Sequence, residues 1–307
     1  MFVAITAGTP LASVDFLSMQ LGAKVAGPDI VYSIVIAGFL ILLLSTLFGE
    51  FTSVFPTAAA YRAFIRPVFG DMVSVGLTLM SSMVIIAAAG AETYVFANAV
   101  HYLMPTTPPL LWIFLVLSTV LVVNIFGVEL SGKAQEYLTY GVFAALSAFS
   151  FYVLLVHTRT GMTPIARPPT ASVGNVLTAS AITIFLFLGF GRVTALAEEA
   201  EDFERMIPRA MPVGILLLTV IFALLAFTIY GDVDASSLNN TPIPHIVFAQ
   251  MVGGRTLGVI MALISVYMTA VTFNAGVLST SRLVYALARE GSLPRVFSRL
   301  SLRYSTP

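Results

Sequence analysis

The chain has 307 residues, of which 58% are hydrophobic and 10% are charged, and its mean hydropathy is +0.96. Globular domains average about 25% charged residues, so this composition excludes a water-soluble enzyme. The 15 Lys and Arg balance the 15 Asp and Glu, which leaves no positive excess for binding nucleic acid. Cysteine is absent, so disulfides and cysteine-ligated metals are excluded. The composition predicts an all-α polytopic membrane protein whose partner is the lipid bilayer.

Seven apolar runs free of Lys and Arg approach the roughly 20 residues that a helix needs to cross the hydrocarbon core. They cover about residues 30–49, 72–98, 108–128, 136–156, 174–191, 210–230 and 257–281. None shows two-residue alternation, so we predict membrane-spanning helices and not barrel strands. Residues 1–27 differ, because Pro10, Asp15 and Lys24 interrupt an apolar start. This stretch predicts half a helix.

The distribution of Lys and Arg between the loops predicts the orientation, because short cytoplasmic loops retain positive charge. The loops on one side hold eleven of these residues, whereas those on the other side hold only Lys24, Arg159, Arg167 and Arg255. We therefore expect residues 1–29 to face outward and the tail after Ser281 to lie in the cytoplasm.

The run that begins at Gly174 contains an unusual segment, Phe185-Leu-Phe-Leu-Gly-Phe-Gly191. Two glycines one residue apart favour local unwinding, and unwound backbone at membrane depth builds binding sites for substrates and ions. The alternative is close packing between helices through small residues.

Glu92 is the only carboxylate well inside a predicted span. A buried charge is costly, so Glu92 is a candidate proton relay or a counter-ion to a cationic substrate. The alternative is that this long run places Glu92 at the outer interface, where water solvates it.

The last predicted span contains a polar line that includes Thr269, Thr272 and Asn274. Such groups coordinate a sodium ion together with carbonyls of an unwound helix, or they form hydrogen bonds between helices. Coupling to sodium and coupling to protons therefore both stay open. No spacing typical of a metal site or a catalytic constellation occurs, so we predict no resident cofactor, no metal and no enzyme.

Several motifs in order resemble those of the amino acid–polyamine–organocation permeases. Phe185 to Met211 is similar to that family's Gly-Phe break, Glu-Glu pair and Ile-Pro-Arg-Ala. Ser281 to Pro294 resembles the segment after family helix 8, and Phe55 to Tyr61 the flank of helix 2. The resemblance runs essentially from end to end.

The resemblance implies a LeuT-type inverted-repeat transporter fold in which helices 1 and 6 are broken at the midplane. It implies a first repeat over residues 1–173 and a partial second repeat over residues 174–307. The similarity of Met1-Phe2-Val3 to the segment after the family's helix-1 break, and of Tyr304-Ser-Thr-Pro307 to the segment that leads into helix 9, also implies a chain shortened at both ends. On this register the chain has about seven full spans and a half helix.

The resemblance further implies a site and a function. The backbone at Leu188, Gly189, Phe190 and Gly191 would bind an amino acid, with Phe185 closing over it and Phe2 nearby. Glu50 with Arg62, and the pair Glu198 and Glu199, would be charged latches at the cytoplasmic face. The implied function is secondary active transport of amino acids or related amines across the plasma membrane by alternating access. The alternatives are a sensor or receptor that does not transport, an inactive fragment and a membrane enzyme.

Overall fold

A computed structural model describes residues 2–55, 57, 59, 61–126, 128–160, 170–199, 202–231 and 235–301. These residues form nine α-helices and short 3-10 segments, with no strand among them. The α-helices are α1 Phe2–Gly8, α2 Asp15–Ala26, α3 Ile30–Val54, α4 Tyr61–Leu103, α5 Pro109–Ile125, α6 Val128–Thr160, α7 Val173–Thr183, α8 Phe203–Tyr230 and α9 Pro244–Arg289. This architecture confirms the predicted all-α membrane fold.

Each of the seven predicted apolar runs overlaps one of the helices α3 to α9, and the run 174–191 continues past α7. Within the described part of the chain, six helical segments are long and apolar enough to cross a membrane, and α2 and α3 together make the first of them. The helix α5 has 17 residues and is therefore only about 26 Å long. The two longest helices each consist of two helical segments joined at a kink. The kink is at Gly70 in α4 and at Gly253 and Gly254 in α9.

The prediction of half a helix in residues 1–27 is wrong, because this stretch forms two helices. The first, α1, ends at Gly8, and α2 begins at Asp15. The six residues from Thr9 to Val14 between them form no helix, and we call them the first break. Pro10 lies inside this break, where its ring and its missing N–H group disfavour a continuous helix.

A second break follows α7, at the position that the glycines predict. A 3-10 turn covers Ile184–Phe187, and Leu188 is then extended, with φ −63° and ψ 128°. Gly189 has a φ of +100°, a conformation that side-chain-bearing residues rarely adopt. A 3-10 helix over Phe190–Glu199 leads on towards α8. We call Leu188 and Gly189 the second break.

The segments on either side of the two breaks pack against each other in opposite halves of the molecule. The helix α1 packs against α8 and the 3-10 helix that precedes it, whereas α2 packs against α7 and the 3-10 turn Ala235–Leu238 that follows α8. Because α8 has 28 residues and is about 42 Å long, these two surroundings lie far apart. The predicted outward placement of residues 1–29 and the predicted cytoplasmic placement of the tail stay predictions.

Hydrogen bonds fix α7 beside the start of α3. The Asp29 carboxylate accepts bonds from the backbone N–H groups of Thr170 and Ala171, each 2.7 Å long. Ser172 then caps α7 by accepting a bond from the N–H of Asn175. The predicted boundary between repeats, residues 1–173 and 174–307, stays a prediction, although α7 begins at Val173.

Candidate functional site

The two breaks face one cavity of about 470 Å³. Thr9 and Pro10 of the first break and Leu188 and Gly189 of the second line it. Residues of α4 and α9 contribute most of the remaining wall, with single residues from α2 and α5. The breaks also touch, since a Cβ added to Gly189 would lie 2.9 Å from the Thr9 methyl carbon. A cavity of this size therefore lies where the backbone leaves regular helix.

Three of the predicted substrate-binding residues on the second break and its flank line this cavity: Phe185, Leu188 and Gly189. Gly191 lies instead on a small adjoining void of about 30 Å³. Phe190 is buried elsewhere and packs edge-on against Phe48, with ring centroids 5.4 Å apart. The residues predicted together are thus divided between the cavity and the packing beneath it.

Phe2 does not line the cavity, so the structure does not support its predicted place beside the substrate. It is buried in the hydrophobic core at the start of α1. The reason is the position of the first break along the chain. The resemblance implied a break before Met1, whereas the first break in the structure follows Gly8. Thr9 and Pro10 hold the positions next to the cavity that the resemblance gave to the beginning of the chain.

Glu92 in α4 is almost fully buried and accepts four hydrogen bonds, so it does not lie at a solvated interface. Its Oε1 accepts bonds from the Ser13 hydroxyl at 2.7 Å, the Ser13 N–H at 3.2 Å and the Thr269 hydroxyl at 2.7 Å. Its Oε2 accepts the Val14 N–H at 2.7 Å. These residues belong to the first break, α4 and α9, so one carboxylate joins three parts of the fold.

The predicted polar line of α9 divides into two hydrogen-bonded groups. Thr269 bonds to Glu92, and the Thr272 hydroxyl donates a 3.1 Å bond to the Leu11 carbonyl in the first break. Asn274 lies apart from them, where it donates to Gln135 of α6 and accepts from Asn124 of α5. Thr272 lines the cavity, whereas Asn274 does not.

Two charged residues at the cavity were not among the predicted site residues. Asp15, at the first turn of α2, accepts the Ala12 N–H at 2.9 Å through Oδ2. Arg192, just after the second break, lines both the cavity and the adjoining void. The sequence signals were present, since Asp15 interrupts the apolar start of the chain and Arg192 follows directly on Gly191.

The predicted charged latches are placed differently. Arg62, at the start of α4, forms ion pairs with Asp71 and with Glu290 just beyond α9. Glu50 is exposed and is not the partner of Arg62. The side chains of Glu198 and Glu199 lie outside the described part of the structure. A connection between α4 and the end of α9 therefore replaces the predicted pair.

A profile of the family described as "Amino acid permease" matches residues 3–305. The chain belongs to the amino acid permease family. The permease is 24% identical to the uncharacterized protein MJ0609 of Methanocaldococcus jannaschii, over 97% of this chain and 69% of that protein. It is 23% identical to the branched-chain amino acid permease BcaP of Lactococcus lactis, over 98% of this chain and 70% of that protein.

This chain covers a smaller share of a plant relative. The permease is 27% identical to cationic amino acid transporter 5 of Arabidopsis thaliana, over 96% of this chain but 54% of that protein. Across these relatives the permease thus spans between about half and seven tenths of their length. The family and its characterised relatives are transporters, which confirms that the permease is an integral membrane transport protein and not an enzyme.

Proposed function

We propose that the permease is a secondary active transporter that carries amino acids across the plasma membrane by alternating access. The observation that supports this most strongly is the cavity between the two breaks, where Thr9 and Gly189 come into contact. Unwound segments free backbone N–H and C=O groups that bind the charged ends of a small substrate. A volume of about 470 Å³ also lies within the range of small-molecule sites, roughly 300–1,000 Å³.

The arrangement around the breaks suits movement of one body against another. The helix α1 contacts α6, α8 and α9, and α2 contacts α3, α7 and α9. Glu92 of α4 connects to the first break through hydrogen bonds. Rocking of the broken helices would open the cavity first to one side and then to the other. In this mechanism the substrate forms no covalent bond.

The experiment that tests this function is uptake of radiolabelled amino acids by proteoliposomes containing the purified permease. We expect saturable, time-dependent accumulation of at least one amino acid, and competition by unlabelled substrate. Saturable binding with no uptake would contradict transport and favour a receptor on the same scaffold.

We further propose that protons, and not sodium ions, drive the transport. Glu92 is buried and joins the first break to α9, so gain or loss of its proton would change the bonds that hold the break. The Thr272 hydroxyl and the Leu11 carbonyl are the oxygens that a sodium ion would use, and they are already hydrogen-bonded to each other. An inward proton gradient should drive uptake, whereas a sodium gradient alone should not.

The proposed orientation places Lys24 and the turn Ala235–Leu238 outside and the residues after α9 in the cytoplasm. It rests on the distribution of Lys and Arg between loops. The chain has no cysteine, so single cysteines report the topology without background. A membrane-impermeant thiol reagent added to intact cells should label Asn240→Cys and spare Ser298→Cys.

A further inference from the structure

Arg192 lines the cavity, and its guanidinium is a buried charged group with one donor that has no partner among the described residues. The residue is only 7% exposed, and its Nη2 has no hydrogen-bond partner within the described part of the chain. No carboxylate of the described residues forms an ion pair with it. An unpaired buried charge is strongly unfavourable, and a ligand of opposite charge offsets that cost.

The Arg192 side chain lies at the cavity wall, between the second break and α9. The Arg192 N–H donates a 3.0 Å bond to the Gly189 carbonyl, which fixes the residue directly after the second break. Gly276 of α9 leaves space for the guanidinium, because a Cβ there would lie 3.1 Å from Nη1. The side chain therefore extends between the second break and α9, along the cavity wall.

The acidic residues of the cavity are already bonded to the first break. Glu92 accepts the N–H groups of Ser13 and Val14, and Asp15 accepts that of Ala12. Three consecutive backbone donors of the first break are thereby occupied by side chains of the protein. An anionic group in the cavity consequently meets the Arg192 guanidinium as its available charged donor.

We infer that Arg192 binds the carboxylate of the transported substrate, and that the permease therefore selects amino acids over amines that lack a carboxylate. This inference rests on the proposed transport function and specifies its substrate class. A guanidinium forms two parallel hydrogen bonds to a carboxylate, a geometry that a lysine ammonium does not reproduce.

The test compares matched ligands that differ at the carboxylate. Proteoliposome uptake, and competition against it, is measured with three pairs: L-leucine and L-leucinamide, L-arginine and agmatine, and L-lysine and cadaverine. We expect the amino acid of any transported pair to compete at least tenfold better than its partner. Equal competition within a pair would overturn the inference while leaving transport intact. Failure of every labelled amino acid to enter would overturn the proposed function and this inference with it.

Two variants separate recognition from structure. Arg192→Met should weaken amino acid binding about 10- to 100-fold, the range expected for loss of a charge-assisted bond, with no change in the weak competition by the carboxylate-free partner. Arg192→Lys should recover only part of the loss. Arg299→Met, at an exposed position, is the matched control and should bind like the unmodified permease.

Thermal unfolding of the same variants supplies the second measurement. Arg192→Met should keep or raise the Tm, because it removes a buried charge that lacks a full set of partners. A lower Tm, together with equal losses for the amino acid and its carboxylate-free partner, would show a structural role for Arg192 and overturn the inference.

Discussion

Replacing Glu92 with glutamine removes one acceptor from the hydrogen bonds that link the first break to α4 and α9. Glutamine has the same shape but only one acceptor oxygen. If that oxygen takes the Oε1 position, the amide NH2 faces the Val14 N–H. If the amide is flipped, the NH2 faces the Ser13 N–H, while the hydroxyls of Ser13 and Thr269 turn to accept. Either way one buried backbone N–H loses its acceptor.

The expected cost follows from that count. A buried donor without an acceptor costs about 1–3 kcal/mol, so the free energy of unfolding should fall by about this amount and the Tm with it. The Glu92→Ala variant removes the acceptors of both the Ser13 and Val14 N–H groups and should lose more. Glu50→Gln makes the same chemical change at an exposed residue and should leave the Tm unchanged.

Transport assays then test the proposed role in proton coupling. Glu92→Gln cannot release a proton, so uptake driven by a proton gradient should fall more than tenfold. Exchange of internal for external amino acid requires no net proton movement and should persist. Uptake by Glu92→Gln that equals that of Glu50→Gln, with an unchanged Tm, would refute both the structural and the coupling role.

Three further predictions concern the breaks and the helix contacts. Gly189→Ala should abolish uptake and lower the free energy of unfolding by about 2–5 kcal/mol, which uptake and thermal unfolding measure. The φ of +100° at this position strains alanine, and the added Cβ would overlap the Thr9 methyl. Asn274→Leu should lower the Tm, because Gln135 loses a buried donor at 2.9 Å, whereas gradient-driven uptake by the folded fraction should persist. Thr272→Val should leave uptake independent of sodium while raising the KM, because it releases the Leu11 carbonyl.

The sequence offered the second break as one of two interpretations of Gly189 and Gly191, and the resemblance to the permeases implied the break. Two glycines one residue apart, after an apolar run, favour unwinding wherever the chain folds. The positions of the spans were equally local, since the thickness of the hydrocarbon core sets their length. These features therefore required no knowledge of which helices are neighbours.

The first break and its partners depended on tertiary contacts that no local pattern reveals. Pro10 and Asp15 were visible as interruptions, but only the position of Glu92, some 80 residues later, shows what binds the freed N–H groups. The resemblance assigned Phe2 to the site because it placed the helix-1 break before Met1, several residues ahead of its position in the structure. Arg192 was visible as an unusual residue after Gly191, although its burial and its missing partner emerge only in the folded chain.

The measurement that tests the central claim most directly is the accessibility of one cysteine in the cavity from each side of the membrane. Thr280→Cys is suitable, because Thr280 is exposed, lines both the cavity and the adjoining void, and the chain has no other cysteine. In oriented proteoliposomes, an impermeant thiol reagent should reach this cysteine from either side, block uptake, and react more slowly when substrate is saturating. A cysteine that reacts from one side only under every gradient, at a rate that substrate does not change, would contradict alternating access at the two breaks.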